Sequence, residues 1–118
     1  MRYVLLIYGD ESRLTERPGS EREAETGRWY EYTRELREAG VVEGGEALEP
    51  TATATCVRTP DGEPLLTDGP FAETKEQLGG FYVLDVPDLD AAIHWANKCP
   101  AAKYGTIELR PIMELPEA

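Results

Sequence analysis

Tyr8, Asp85, Glu108 and Arg110 fall at alternating positions of strand-like apolar segments, so one face of each segment carries a polar group among greasy neighbours. A phenol, two carboxylates and a guanidinium set among Val4, Leu6, Phe81, Val83 and Ile112 are the mixture that a small-molecule cleft offers. In such a cleft Asp85 or Glu108 would act as general base if burial raised its proton affinity. Tyr8 would donate a hydrogen bond, and Arg110 would hold an anionic substrate group bidentately. The same residues also suit a plain Asp85–Arg110 ion pair at a subunit contact or sheet edge. Glu46, after Gly44-Gly45, either points into the cleft or stands as a solvated charge that discourages edge pairing. A further cluster lies between Thr67 and Gly80: Asp68, Phe71 and Lys75 would form a lid or rim over a ligand. Turn chemistry alone, with Asp68 accepting amide hydrogen bonds and Pro70 starting a turn, accounts equally for that loop.

These groups need elements to position them. Arg2 to Tyr8 reads as a strand apolar on both faces, ended by Gly9-Asp10. After a charged loop, Ser20 with Glu23 forms an S-x-x-E capping box that predicts a long helix. Trp29, Tyr32, Leu36 and Ala39 make its apolar stripe, and Gly40 closes it. Strands are expected over 41–48 and 53–58, with Pro60-Asp61-Gly62 turning a peripheral hairpin into 64–67. Gly79-Gly80 then frees the backbone before a strand over 81–86. Asp88 caps a second helix with Leu89, Ala92, Ile93 and Ala96 on its apolar face, and a last strand covers 106–113.

Two strand–helix–strand units, the second opening Tyr82-Val83-Leu84 much as the first opens Tyr3-Val4-Leu5, predict an α+β, ferredoxin-like βαββαβ fold: an antiparallel sheet with an inserted β-hairpin and both helices on one face. Tyr3, Leu5, Ile7, Tyr82, Leu84, Ile107 and Leu109 would face the helices. The opposite face, also apolar, would be covered by a second copy of the chain.

A chain of 118 residues is read as a single domain, 1–118, short enough that a deep site borrows walls from a partner. Its 23 acidic and 12 basic residues leave a net charge of −11, which repels phosphate backbones and anionic lipid and argues against direct nucleic-acid or membrane partners. Cys56 and Cys99 show neither metal-ligand spacing nor a disulfide framework, and the first apolar run is too short for a signal or membrane segment, which fits a reducing cytoplasm. His94 is the sole imidazole and falls off the apolar stripe of its helix, so no metal centre is expected. Walker A, dinucleotide, H-E-x-x-H and G-x-S-x-G patterns do not occur, and no cofactor is expected.

The segments Arg2-Tyr3-Val4-Leu5-Leu6-Ile7-Tyr8-Gly9-Asp10, Gly44-Gly45-Glu46-Ala47-Leu48, Thr67-Asp68-Gly69-Pro70-Phe71-Ala72-Glu73-Thr74-Lys75-Glu76 and Gly79-Gly80-Phe81-Tyr82 resemble the YCII-related proteins, specifically their DGPF branch. The resemblance implies a dimeric α/β barrel, the fold shared with small cofactor-free isomerases, dehydrochlorinases, polyketide cyclases and monooxygenases that work on ring compounds. Similarity to the smaller YCII proteins implies a histidine–aspartate site whose histidine lies on the first helix about three turns before its closing glycine. Here Trp29 occupies that neighbourhood. Similarity to the DGPF branch also implies a competing role as a regulatory or accessory protein beside extracytoplasmic-function sigma factors, with a protein partner in transcription regulation. The enzymatic reading is proton transfer, elimination or cyclisation on an aromatic or polyketide-like compound.

Overall fold

Alternating side chains in the first segment send Tyr3 and Leu5 into the core and Val4 and Leu6 to the other face, and this two-faced strand becomes the interior of a sheet. The computed structural model describes residues 1–117, without the side chains of residues 14 and 15. In chain order the elements are β1 (Arg2–Gly9), α1 (Ser12–Glu16), α2 (Gly19–Glu38), β2 (Val42–Ala47), β3 (Thr55–Arg58), β4 (Leu65–Asp68), β5 (Gln77–Asp85), α3 (Leu89–Lys98) and β6 (Thr106–Pro111). Short 3-10 turns cover Thr51–Thr53 and Pro100–Lys103.

The main sheet has the order β2-β5-β1-β6 with every neighbour antiparallel, and β3-β4 forms a separate hairpin. This is the α+β, ferredoxin-like arrangement with an inserted hairpin. Tyr3, Leu5 and Leu84 are buried under the helices, with Ile7, Tyr82, Ile107 and Leu109 packed around them. From α2 come Tyr32 and Leu36, and from α3 Ala92 with Trp95 beside it. The Tyr32 hydroxyl donates to the Trp95 carbonyl at 2.7 Å and so ties the helices together. Burial pushes that phenol far above its usual proton affinity, as expected of a neutral core donor.

Several local expectations need correction. No capping box starts α2: the helix begins at Gly19, so Ser20 already sits inside its first turn. Pro18 instead takes the N-cap position, its carbonyl accepting from the Glu21 and Arg22 amides at 3.0 and 3.2 Å. Part of the expected charged loop is helical: Asp10 accepts from the Ser12 amide and hydroxyl at 3.0 and 2.6 Å and thereby nucleates α1. Asp88 does cap α3, accepting from the Ala91 amide at 2.9 Å. The inward face of α3 is nevertheless Ala91, Ala92, Trp95 and Ala96, and Leu89 and Ile93 are left exposed. Gly40 has φ of +70°, the left-handed residue that closes α2. His94 is exposed, and Cys56 is half-buried, its thiol donating to the Gly69 carbonyl at 3.2 Å.

Candidate functional site

Two glycines, Gly45 and Gly80, lie among the residues that line the cleft. In the β2–β5 pairing Gly45 lies opposite Tyr82, and Gly80 lies opposite both Ala47 and Ile7, so both glycines belong to the helix-covered face. A Cβ at Gly45 would stand 2.5 Å from the Phe81 carbonyl oxygen and 2.8 Å from the Tyr82 ring, and one at Gly80 would stand 2.9 Å from the Glu46 carbonyl oxygen. The missing side chains let the backbones approach and leave room at Gly45 for the edge of the Tyr82 ring, whose hydroxyl is 2.7 Å from Thr33 Oγ1 on α2. Beside this contact a cleft of ≈ 650 Å³ opens between the sheet, α2 and the α1–α2 segment, a size suited to a small organic ligand. Its walls include Ile7, Tyr8, Trp29, Thr33, Tyr82 and Tyr104.

A buried carboxylate holds the closed end together. Glu25 is 5% exposed and accepts four hydrogen bonds: from the Tyr104 hydroxyl, from Arg28 at 2.6 Å, from Arg17 at 3.3 Å and from the Trp29 indole at 3.3 Å. Burial alone would raise its proton affinity, but the Tyr104, Arg28 and Arg17 hydrogen bonds outweigh that effect and bring the carboxyl down to about 2. Burial, together with the hydrogen bond to Glu25, pushes the Tyr104 phenol up to about 12, and burial also raises Tyr82. At neutral pH the site therefore has a fixed anion behind its wall and two phenols that keep their protons. Arg13 of α1 stacks on Tyr104, its guanidinium carbon 3.7 Å from the ring centroid, with Arg17 at 5.4 Å from the same ring.

Of the sequence-derived candidates, Tyr8 lines this cleft, and Glu46 and Phe81 border it only as members of β2 and β5. Glu46 pairs across from Phe81, so their side chains share the sheet face turned away from α2. Tyr8 follows an irregularity where β5 carries the extra residue Gly79. Asp85 and Arg110 lie elsewhere and do not pair with each other: Asp85 is exposed and accepts from the Met1 α-amino group at 3.2 Å, while Arg110 pairs with Glu108. Asp68 ends β4, and Phe71 and Lys75 follow in the exposed loop, Phe71 being 85% exposed. The cleft thus opens on the helix side, whereas the sequence placed one on the opposite face.

Glu25, Arg13, Arg17 and Tyr104 were not among the sequence candidates. Glu25 precedes Trp29 by one turn on the stripe that continues through Tyr32 and Leu36, and a charged residue on a core stripe is the signal that marks it. Tyr104 and the α1 arginines carry no local signal, because only the tertiary fold brings them together. Among the described residues no group of three or more His, Cys, Asp or Glu side chains is placed to hold a metal ion. Nor is any described helix long and apolar enough to cross a membrane.

The chain belongs to the YCII-related family, its residues 1–116 matching the YCII-related domain. It is also similar to an uncharacterized protein of Rhizobium meliloti (strain 1021), 39% identical over 114 residues that cover 95% of this chain and 92% of the relative.

Proposed function

We propose that this chain is a small-molecule-binding protein that works as a homodimer, its ligand being a ring compound held in the helix-side cleft. The observation that carries this reading is the ≈ 650 Å³ cleft walled by Tyr8, Trp29, Tyr82 and Tyr104 and floored by Gly45 and Gly80. Aromatic walls with a few fixed polar groups hold flat ligands at small conformational cost. Homodimer formation is supported by the outward sheet face, where Val4, Leu6, Phe81, Val83 and Ile112 are only half-buried. Enzymatic action, as cofactor-independent proton transfer, elimination or cyclisation on an aromatic or polyketide-like compound, is a narrower form of the same reading. Because Glu25 is held as an anion near 2 and the phenols of Tyr82 and Tyr104 are raised, the narrower form leans on positioning and hydrogen-bond donation more than on a shuttling base.

A second reading is favoured by the hairpin, whose Val57, Leu66 and neighbouring Phe71 are 61%, 70% and 85% exposed. It makes the chain a non-catalytic regulatory or accessory protein that meets a protein partner in transcription through this arm. Native mass spectrometry of protein purified from its source cells separates the two. The ligand reading expects a retained small molecule that is lost in Ala47→Trp, a change at the exposed mouth of the cleft. An empty cleft together with a co-purifying protein would support the second reading instead.

A further inference from the structure

We propose that the ligand of this cleft is an organic anion, a flat ring compound bearing a carboxylate, with Arg13 as its charge anchor; this rests on the small-molecule reading above. Three arginines, Arg13, Arg17 and Arg37, line one cleft of a chain whose net charge is −11. Arg17 is already committed to Glu25. Arg13 is not: among the described residues its Nη1 is shut off from solvent and has no hydrogen-bond partner. A guanidinium nitrogen in that position has given up water and gained only the face of Tyr104, an arrangement that leaves its hydrogen-bonding capacity unspent.

The acids around the cleft do not fill that role. The Asp10 carboxylate accepts from the Ser12 amide and hydroxyl and acts on Arg13 only as a nearby charge. Glu11 accepts from the Thr51 amide and hydroxyl at 2.7 and 2.8 Å. Glu43 is held by Arg2 at 3.1 Å, and the side chain of Glu46 stands on the other sheet face. An incoming carboxylate would meet Arg13 where it lines the cleft, the guanidinium turning from the Tyr104 face to bring its enclosed Nη1 to the two oxygens, while the ring attached to it would lie against Trp29 and Tyr82. Arg37 at the outer end adds positive potential that draws the anion in and holds it less tightly.

Benzoate and benzamide share a ring and a shape but differ in charge, and Trp29 in the cleft wall reports either by fluorescence quenching, with Trp95 as background. The full-length wild-type protein should bind benzoate at least about tenfold more tightly than benzamide in low salt. That ratio should fall to near one in Arg13→Gln and survive in part in Arg13→Lys. Because Arg13 also supports Tyr104, circular dichroism checks each fold, and the exposed Arg37→Gln gives a second variant, in which the ratio should drop about two- to threefold. Equal affinities for the two probes in wild type, or a ratio unmoved by Arg13→Gln, would overturn the anion assignment while leaving the cleft reading intact. Failure of both probes to bind would overturn both.

Discussion

Glu25 shows how one residue can govern the site without touching what enters it. Its two oxygens collect a tyrosine, an indole and two arginines, so they join α2 to Tyr104 and to the segment that carries Arg17. An unfolded glutamate takes up its proton near 4.5 and the folded one only near 2. This contribution is therefore complete above pH 4.5 and is lost as pH falls from there through 2. The difference is worth on the order of 3 kcal/mol. Urea denaturation should find Glu25→Gln less stable than wild type by about 2–3 kcal/mol at neutral pH, with the gap closing between pH 4.5 and 2. A gap independent of pH would contradict the assignment. At this scale the sequence was only partly legible: strand alternation singles out Tyr8 and Phe81, and the preceding Gly44-Gly45 pair singles out Glu46, and both signals are local. Arg13 and Tyr104 are far apart in the chain, and nothing in either segment announces that they will stack.

Among the elements, the β2–β5 pair depends on close backbone approach beside the cleft. Gly45 and Gly44 are neighbours with opposite surroundings: a Cβ at Gly45 meets the Phe81 carbonyl at 2.5 Å, and one at Gly44 meets nothing within 4 Å. Gly45→Ala should therefore cost about 1–3 kcal/mol in chemical denaturation, while Gly44→Ala should stay within about 0.5 kcal/mol of wild type. Equal effects would mean that close strand approach is not what Gly45 provides. The cap of α3 gives a second check, since Asp88→Ala removes the acceptor of the Ala91 amide and should lower stability by about 1 kcal/mol. Element types were largely readable, because periodicity and turn residues are local signals. Boundaries were less so: β5 begins at Gln77 and runs through Gly79-Gly80, where strand propensity is low and pairing with β1 and β2 supplies what propensity does not.

At the scale of the whole molecule, the chain is flat and open, spanning 48 × 47 × 19 Å with a radius of gyration of 16.5 Å, against about 13.5 Å for a compact domain of this length. The excess reflects the β3–β4 hairpin, an element too small to be stable alone, standing clear of the main sheet. The two-faced apolar alternation of β1 and β5 was visible in the sequence and is the basis of the proposed homodimer. Sedimentation equilibrium at micromolar concentration should then return twice the 13.1 kDa chain mass. Val83→Lys, on the outward face, should return the single mass with its circular dichroism unchanged. A folded wild-type monomer would remove the dimer and leave the cleft, which one chain forms by itself. The cleft is tested most directly by heteronuclear NMR titration with benzoate and, separately, with the neutral ring compound indole. The account predicts shifts concentrated at Gly45, Gly80, Thr33 and the Trp29 indole with at least one of the two. Shifts confined to Val4, Leu6 and Val83 on the opposite face, or no shifts with either compound, would contradict it.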